Sequence, residues 1–208
     1  MLARCDDHGY YRGELCPECS KKGRYLMSDK ELDSVGRVVT GILRHFPDRF
    51  GIMMDEHGFV FMDALVEAIR RRRSLSWLKP EHITALSETD AKGRYEIREG
   101  EIRATYGHTI DVDLSDLSKE NIPERLYYPA SEEEAQILAE RGIKPADRSF
   151  VHLSETVEKA MEAGMVRNES PVILTIRSKE MIDDGLDVLR AGKSVFLVKE
   201  VSAQYIIL

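Results

Sequence analysis

The sequence predicts an α+β protein made of three consecutive parts. Its three cysteines all lie close to the start of the chain, which predicts a small metal-binding module over residues 1–27. Residues 28–115 combine helical apolar periodicity with short hairpin-like runs, a pattern typical of a winged-helix-like lobe. Residues 116–208 alternate short apolar strands with helical segments, which predicts a second, smaller α+β lobe. A chain of 208 residues is long enough for two modest cores.

The composition is that of an ordinary globular protein, with 42% hydrophobic and 32% charged residues. No apolar run approaches the roughly eighteen residues that a membrane span needs, and no signal-peptide core is recognisable. We therefore expect a cytoplasmic protein without a membrane partner. We also expect a monomer, although no sequence feature reports the oligomeric state. The net charge of -7 argues against a general nucleic-acid coat protein, so an RNA ligand would be held by local arginine clusters.

The N-terminal module contains a Cys-x-x-His pair and a Cys-x-x-Cys pair separated by seven residues. The four candidate ligands are Cys5, His8, Cys16 and Cys19. A two-residue gap lets both members of a pair reach one ion, and three thiolates with one imidazole fill the four positions of tetrahedral zinc. Because no position remains for water, we expect a structural zinc that helps to dock RNA or braces the next lobe. The alternative is four unliganded surface residues.

The middle lobe is organised around one amphipathic helix. Ser28 and a glutamate three residues later form a capping box, which predicts that the helix starts at Asp29. A Phe-Pro pair ends it, so Arg44 and His45 fall in the last turn. One interpretation is structural, because unpaired carbonyls at a helix C-terminus favour a cation. The other interpretation is that the pair is part of an active site.

The remaining elements of this lobe follow from shorter patterns. They are a turn between strands Ile52–Met54 and Phe59–Phe61, a helix capped by Asp63 and ending near Arg72, a helix from Trp77 to Leu86, and strands around Arg94 and His108. A Glu-Gly-Glu connection joins the last two strands, so we expect Arg94 and His108 to lie close on one sheet. The basic run at residues 70–73 predicts either an RNA contact or a solvated helix end.

Four segments resemble, in the same order, the NAD-dependent RNA 2'-phosphotransferases, which remove a splice-junction 2'-phosphate from tRNA. They are LRH followed by Pro and GI-x-x-DEHGFV, then KGRYEI at residues 92–97, IRATYGHT at residues 102–109, and GIKPADRSFVHLS at residues 142–154. The resemblance covers about residues 30–208. It implies transfer of the phosphate to NAD, which yields 2'-hydroxyl RNA, nicotinamide and ADP-ribose 1'',2''-cyclic phosphate.

The resemblance also implies roles for individual residues. The family's catalytic tetrad falls on Arg44, His45, Arg94 and Arg148. Residues 116–208 would have the ADP-ribosyltransferase fold and hold NAD, although no Gly-x-Gly-x-x-Gly fingerprint is present. The cofactor-binding residues would be His108, Thr109, Tyr127, Tyr128, His152 and Ser154.

The sequence departs from the family pattern in three places. Relatives commonly have Leu-Tyr-His-Gly-Thr where this chain has Tyr128-Pro129 in place of His-Gly. The family's Asn-Gly-Val-Trp-Leu is Lys-Ser-Val-Phe-Leu at residues 193–197, and Phe150 stands where many relatives have His. Two alternatives therefore stay open. One is a non-catalytic zinc and winged-helix protein that binds nucleic acid, and the other is an ADP-ribosyltransferase that acts on nucleic-acid phosphates.

Overall fold

The computed structural model describes all residues from Met1 to Leu208 and has a mixed α/β fold with six α-helices and three β-sheets. It consists of two compact units, a first unit of Met1–Ala104 and a second unit of Thr105–Leu208. The predicted metal module and most of the predicted middle lobe thus belong to one unit, whereas the sequence placed divisions after residues 27 and 115. None of the helices has both the length and the apolar character that crossing a membrane requires.

A three-stranded antiparallel sheet opens the first unit. Its strands are β1 (Leu2–Cys5), β2 (Gly9–Arg12) and β3 (Arg24–Met27), in the order β2-β1-β3. The sequence did not predict these strands. The sheet is fused to the helices, because Leu2, Leu26 and Met27 are part of the main core cluster of the unit. The first residue of the chain also connects the sheet to the helix that follows, since the Met1 amino group pairs with Asp29 at 2.7 Å.

The central helix α1 runs from Asp29 to Arg44. The predicted capping box is confirmed, because Ser28 Oγ accepts the Glu31 N–H at 3.3 Å and the Glu31 carboxylate accepts the Ser28 N–H at 2.8 Å. One face of α1 is buried and includes Val35, Val39, Ile42 and Leu43. Arg44 is the last helical residue and His45 is the C-cap, as the sequence predicted. The helix therefore presents this pair at its carboxyl end.

Two shorter helices and a second sheet complete the first unit. They are α2 (Met62–Arg70), α3 (Pro80–Glu88), and strands β4 (Val60–Phe61), β5 (Tyr95–Arg98) and β6 (Glu101–Ala104) in the order β4-β6-β5. The predicted connection of two strands through the Glu-Gly-Glu segment is confirmed, because β5 pairs with β6 in an antiparallel hairpin. Glu99 and Gly100 have φ values of 52° and 85°, the left-handed pair that a two-residue hairpin turn requires.

Two expectations for strands in this unit were wrong. Residues 52–54 form no strand. The partner of β4 is β6 instead, with Val60 opposite Ile102. The turn before β4 is instead held by Asp55, whose carboxylate accepts the N–H groups of His57 and Phe59. The expectation that Arg94 and His108 lie on one sheet also fails, because β5 begins one residue after Arg94 and β6 ends four residues before His108.

The helix boundaries also differ from the prediction. Asp63 is not the N-cap of α2, since the helix begins at Met62 and Phe61 occupies the cap position without a side-chain hydrogen bond. Asp63 lies in the first turn, where its charge complements the exposed N–H groups. The helix ends at Arg70, two residues early, because residues 73–75 turn into a short 3-10 helix.

The second unit is built on a six-stranded antiparallel sheet in the order β10-β11-β8-β7-β9-β12. The strands are β7 (Leu126–Ala130), β8 (Val151–Ser154), β9 (Val172–Ile176), β10 (Leu189–Arg190), β11 (Val195–Val198) and β12 (Ile206–Ile207). The helices are α4 (Glu132–Arg141), α5 (Val157–Gly164) and α6 (Ser178–Asp183). The sequence pattern predicts strands at residues 126–128, 151–153, 172–176 and 195–198 and helices at residues 132–141 and 155–163, and the four longer strands and the first two helices confirm this. The two-residue strands and α6 were not predicted, because such short elements carry no periodicity.

Candidate active site and metal centre

The four predicted metal ligands form one cluster. The ligand atoms of Cys5, His8, Cys16 and Cys19 all lie within 4.8 Å of one another. The Nδ1 atom of His8 is 3.4 Å from Cys5 Sγ and 3.7 Å from Cys16 Sγ, and the sulfurs of Cys5 and Cys19 are 3.7 Å apart. Tetrahedral zinc with bonds of about 2.1 to 2.3 Å gives ligand separations of about 3.5 to 3.8 Å. The cluster thus fits a zinc knuckle.

Backbone hydrogen bonds prepare these cysteines to ligate a cation. The pKa of Cys5 is lowered, chiefly because the backbone N–H of Asp7 donates to its sulfur. Burial raises the pKa of Cys16, but backbone N–H groups donating to its sulfur outweigh burial and the net shift is downward. For Cys19, the backbone N–H of Lys21 lowers the pKa, yet burial and the neighbouring thiols raise it overall. Three close thiolates repel one another, and a divalent cation offsets that repulsion.

The metal module is fixed to helix α3 by arginines. Arg4 and Arg24 both pair with the carboxylate of Glu81, with Arg4 Nη1 at 3.2 Å from Oε1. The hydrogen bond from Arg24 is the main reason why the pKa of Glu81 is lowered. From the neighbouring strand, Arg12 Nε donates to Thr89 Oγ1 at 3.1 Å, just beyond the end of α3. These contacts give the module a defined position within the first unit.

A cavity of about 470 Å³ lies beside α1 within the first unit. Its lining brings together two of the predicted catalytic residues, His45 from the end of α1 and Arg94 from the start of the β5 hairpin. Arg12 and Arg37 line the same cavity. Arg44 precedes His45 on the helix but is not among the lining residues. The cavity therefore combines an imidazole with several guanidinium groups, a set suited to binding an anion.

A buried carboxylate holds Arg94 in place. Asp90 is 1% exposed and accepts the backbone N–H of Arg94 at 2.7 Å, Nη2 at 2.6 Å and Nε at 3.1 Å. Burial raises the pKa of Asp90, but the hydrogen bonds from Arg94 reverse this and the net shift is downward, with the charge of Arg12 contributing. Asp90 is not among the residues that the sequence predicted for the site. Its position four residues before Arg94 was the sequence feature that pointed to it.

A second contact connects the arginine's strand to α1. The hydroxyl of Tyr95 lies 2.6 Å from Oγ1 of Thr40, which is four residues before the last residue of the helix. Burial raises the pKa of Tyr95, so its hydroxyl stays protonated. Because Tyr95 follows Arg94 directly and Thr40 lies one turn before His45, this bond helps to fix the spacing of the two cavity residues.

Arg103 has a structural role in spite of its place in a family-like segment. It is 1% exposed, and its guanidinium pairs with Glu96 at 2.6 Å and lies over the Phe59 ring at 4.4 Å. Its Nη1 also donates to the backbone oxygen of His57 at 3.2 Å. A buried arginine held in this way joins the β5–β6 hairpin to the turn before β4.

The second unit contains the predicted cofactor-binding residues and Arg148. Tyr127 of β7 pairs with Ser154 of β8, and His152 lies two residues before Ser154, so these three side chains share one face of the sheet. Tyr128 is on the opposite face because successive strand residues alternate. His108 is 3% exposed, and both it and Thr109 lie in the irregular segment before β7. Arg148 is in the loop before β8.

The Tyr128-Pro129 departure is compatible with the sheet. The pairing between β7 and β8 is restricted to Tyr127 and Ser154, so the missing N–H of Pro129 interrupts no ladder on that side. Burial raises the pKa of Tyr128, and the charge of Glu134 adds to this while Arg148 opposes it. The phenol therefore stays neutral at physiological pH.

Comparison with known proteins identifies relatives of this chain. Residues 30–200 match the family model described as RNA 2'-phosphotransferase, Tpt1 / KptA family. A probable RNA 2'-phosphotransferase of Thermoplasma acidophilum is 44% identical, over 96% of this chain and 85% of that protein. The probable RNA 2'-phosphotransferase of Methanosarcina barkeri is 41% identical, over 99% of this chain and 98% of that protein. A third, from Archaeoglobus fulgidus, is 42% identical over 97% of this chain.

Proposed function

This chain belongs to the RNA 2'-phosphotransferase family, and we propose that it removes an internal 2'-phosphate from RNA by transferring it to NAD. The single observation that carries the proposal is the cavity of the first unit, where His45 and the Asp90-held Arg94 face one space. A phosphate monoester dianion matches such a site, because guanidinium groups form paired, charge-assisted hydrogen bonds with phosphate oxygens.

The first step forms a bond between the RNA and the ribose of NAD. An oxygen of the 2'-phosphate attacks the anomeric carbon of the nicotinamide ribose, and the bond from that carbon to nicotinamide breaks. Nicotinamide leaves with the bonding electron pair and becomes neutral. Because the leaving group is already cationic, the protein mainly has to position the reactants. We propose that Arg44, Arg94 and Arg148 hold the phosphate for this step.

The second step moves the phosphoryl group away from the RNA. The 2''-hydroxyl of the ADP-ribose attacks the phosphorus, and the bond from phosphorus to the RNA 2'-oxygen breaks. The products are 2'-hydroxyl RNA and ADP-ribose 1'',2''-cyclic phosphate. A proton leaves the attacking hydroxyl and another reaches the 2'-oxygen. His45 is our candidate for this proton transfer because it lies at the exposed end of α1 in the cavity.

The proposal assigns a role to each part of the chain. Residues 28–115 would form a winged-helix-like lobe that binds RNA and carries most of the catalytic groups. Residues 116–208 would form an ADP-ribosyltransferase-like lobe that binds NAD through His108, Thr109, Tyr127, Tyr128, His152 and Ser154. Residues 1–27 would hold a structural zinc, with all four positions taken by protein ligands. A cytoplasmic location and a tRNA-like substrate from splicing are part of the same proposal.

The direct test uses a short RNA with one internal 2'-phosphate, incubated with the full chain in the presence and absence of NAD. Chromatography and mass spectrometry identify the products. We expect 2'-hydroxyl RNA, nicotinamide and ADP-ribose cyclic phosphate only when NAD is present. RNA binding with no product at any NAD concentration would refute the enzyme and favour a nucleic-acid-binding protein.

The Tyr128-Pro129 departure favours one second candidate. A bulkier residue at the nucleotide site could place the ribose so that the second step fails, which would leave an ADP-ribosyltransferase acting on nucleic-acid phosphates. That enzyme would accumulate RNA carrying a phospho-ADP-ribose adduct. The same mass analysis separates the two candidates, because the adduct retains the 2'-oxygen to phosphorus bond and is heavier than the starting RNA.

A further inference from the structure

Arg12 connects the metal module to the candidate catalytic cavity. It is the last residue of β2, and it lines the cavity together with His45 and Arg94. Its Nε donates to Thr89 Oγ1 at 3.1 Å, and its two Nη groups make no hydrogen bond or ion pair within the protein. The side chain is therefore anchored at one end and has its remaining donors available to a ligand.

The other charged groups of the cavity lining are paired within the protein. Arg37 forms an ion pair with Asp33 at 2.6 Å, and Asp29 pairs with the Met1 amino group at 2.7 Å. The carboxylates of the lining are thus satisfied by cations other than Arg12. The charge of Arg12 also contributes to the lowered pKa of Asp90, the carboxylate that holds Arg94. Arg12 and Arg94 consequently act on the same region of the cavity.

An internal 2'-phosphate is never the only anion on its ribose. The same sugar carries a 3'-phosphodiester, so a site that recognises the internal position has to accommodate a second negative group beside the first. A guanidinium with unengaged Nη groups suits a phosphodiester oxygen pair. A cation that lies beside the predicted catalytic residues, without being one of them, would therefore distinguish an internal 2'-phosphate from one at an RNA end.

We propose that Arg12 binds the phosphodiester on the 3' side of the 2'-phosphate, so that the metal module takes a direct part in recognising internal sites. This inference rests on the proposed function and adds a binding residue to it. The joint pairing of Arg4 and Arg24 with Glu81 holds the module on α3, so Arg12 is kept in position before RNA arrives. A prepositioned side chain loses less conformational entropy on binding.

The test compares two RNAs that share one sequence up to the modified ribose. In one the chain continues beyond the 2'-phosphate, and in the other it ends there with a 3'-hydroxyl. For the continuing RNA we expect Arg12→Ala to raise KM about tenfold, the worth of one charge-assisted contact, with kcat within about twofold. For the ending RNA we expect little change in either. Arg12→Lys should recover part of the loss, because it keeps the charge without the fork.

Two further variants separate binding from structure. Thr89→Val removes the anchor of Arg12 but leaves the guanidinium, and it should weaken discrimination between the RNAs less than Arg12→Ala. Arg141→Ala changes an exposed arginine in the last turn of α4 that does not line the cavity, and it should behave as the unchanged protein. Equal losses of Arg12→Ala on both RNAs, or no loss on either, would overturn the inference.

Binding of the continuing RNA without NAD gives a readout that does not depend on the reaction. When the logarithm of the binding constant is plotted against the logarithm of the salt concentration, removing one phosphate contact makes the negative slope shallower by about 0.7 for a single strand. We expect that decrease for Arg12→Ala and none for Arg141→Ala. If the slope changes but no NAD-dependent product forms, the proposed function fails while the Arg12 contact stands. If the product forms and the slope is unchanged, only the Arg12 contact fails.

Discussion

Arg94 illustrates, at the scale of single residues, how a buried carboxylate positions a cation for the phosphate binding that we propose. Asp90 is removed from water, so the strong hydrogen bonds from Arg94 are what keep it ionised. In return, the guanidinium loses most of its freedom to rotate before the substrate arrives. The sequence suggested Arg94 through its family-like segment, but the carboxylate that positions it became visible only in the fold.

Asp90→Asn is expected to lower kcat/KM by about 10- to 100-fold. The neutral amide cannot accept from all the donors of Arg94, so the guanidinium is no longer held at one angle, and small misplacements of catalytic groups carry losses of this order. Steady-state kinetics with NAD in excess measures the effect. Asp90→Glu should recover part of the activity, because it restores the charge. If Asp90→Asn matches the unchanged protein, Asp90 does not position Arg94.

The same carboxylate makes a pH-dependent contribution to folding. Because the folded-state pKa of Asp90 lies below its ordinary value, the stabilisation is fully present above the unfolded pKa of about 3.9 and is lost as pH falls through the folded value. The difference in unfolding free energy between the unchanged protein and Asp90→Asn should therefore be larger at pH 7 than at pH 3. Urea unfolding at both values measures it. Glu14→Gln, which alters an exposed carboxylate without an ion pair, is the control.

Arg44→Lys is expected to be nearly as harmful as Arg44→Ala. A lysine keeps the positive charge but cannot make the paired hydrogen bonds of a guanidinium with phosphate oxygens. Single-turnover rates for the two variants, compared with the control Arg71→Lys, measure this directly. Full activity of Arg44→Lys would exclude the paired geometry.

At the scale of elements, α1 is the part that the sequence specified best. Ser28 and Glu31 form the predicted capping box, and the apolar stripe of the sequence is the buried face. Local rules suffice here because a helix start and a helix face depend on neighbouring residues. They fail for β1–β3, where four-residue strands lie beside a Cys/His cluster and pack on distant helices.

Gly41 controls how the end of α1 is shaped. Its carbonyl oxygen accepts hydrogen bonds from the N–H groups of both His45 and Phe46. A Cβ added at this position would lie 2.7 Å from Cζ of the Phe46 ring. We expect Gly41→Ala to displace this ring and with it the turn that carries His45, lowering kcat several-fold. Gly36→Ala is the matched variant on the same helix.

At Gly36 the added Cβ would meet Leu86 at an ordinary 3.7 Å. There the gain in helix propensity should raise the unfolding free energy by about 0.5 to 1 kcal/mol. Urea unfolding of both variants and kcat for Gly41→Ala provide the comparison. A stabilised Gly41→Ala with unchanged kcat would contradict the role given to the Phe46 contact.

At the scale of the whole molecule, the chain combines a unit that contains the Cys/His cluster and the candidate catalytic cavity with a second unit built on the six-stranded sheet. The motifs indicated most of the candidate residues, because each motif is local. They did not indicate Arg12, which lies more than seventy residues before Arg94 and meets the same cavity only through packing on α3. Contacts of that kind depend on tertiary structure and leave no periodic signal.

Zinc is expected to stabilise the entire first unit. Because β1 and β3 contribute to its main core, losing the cluster should weaken more than the module alone. Cys16→Ser should lose the bound zinc, measured by mass spectrometry of the native protein, and lower the melting temperature by about 10 °C or more. Leu15→Ala, which alters an exposed residue of the same loop, is the control. A zinc-free Cys16→Ser protein with unchanged melting and activity would remove both roles of the metal.

The measurement that tests the central claim most directly follows the phosphorus atom itself. An RNA whose internal 2'-phosphate carries phosphorus-32 is mixed with excess protein and NAD, and the labelled products are separated after one turnover. A group transfer to NAD predicts that all released label appears in ADP-ribose cyclic phosphate and none in inorganic phosphate. Label released as inorganic phosphate, at the same rate with and without NAD, would identify a hydrolase and contradict the account.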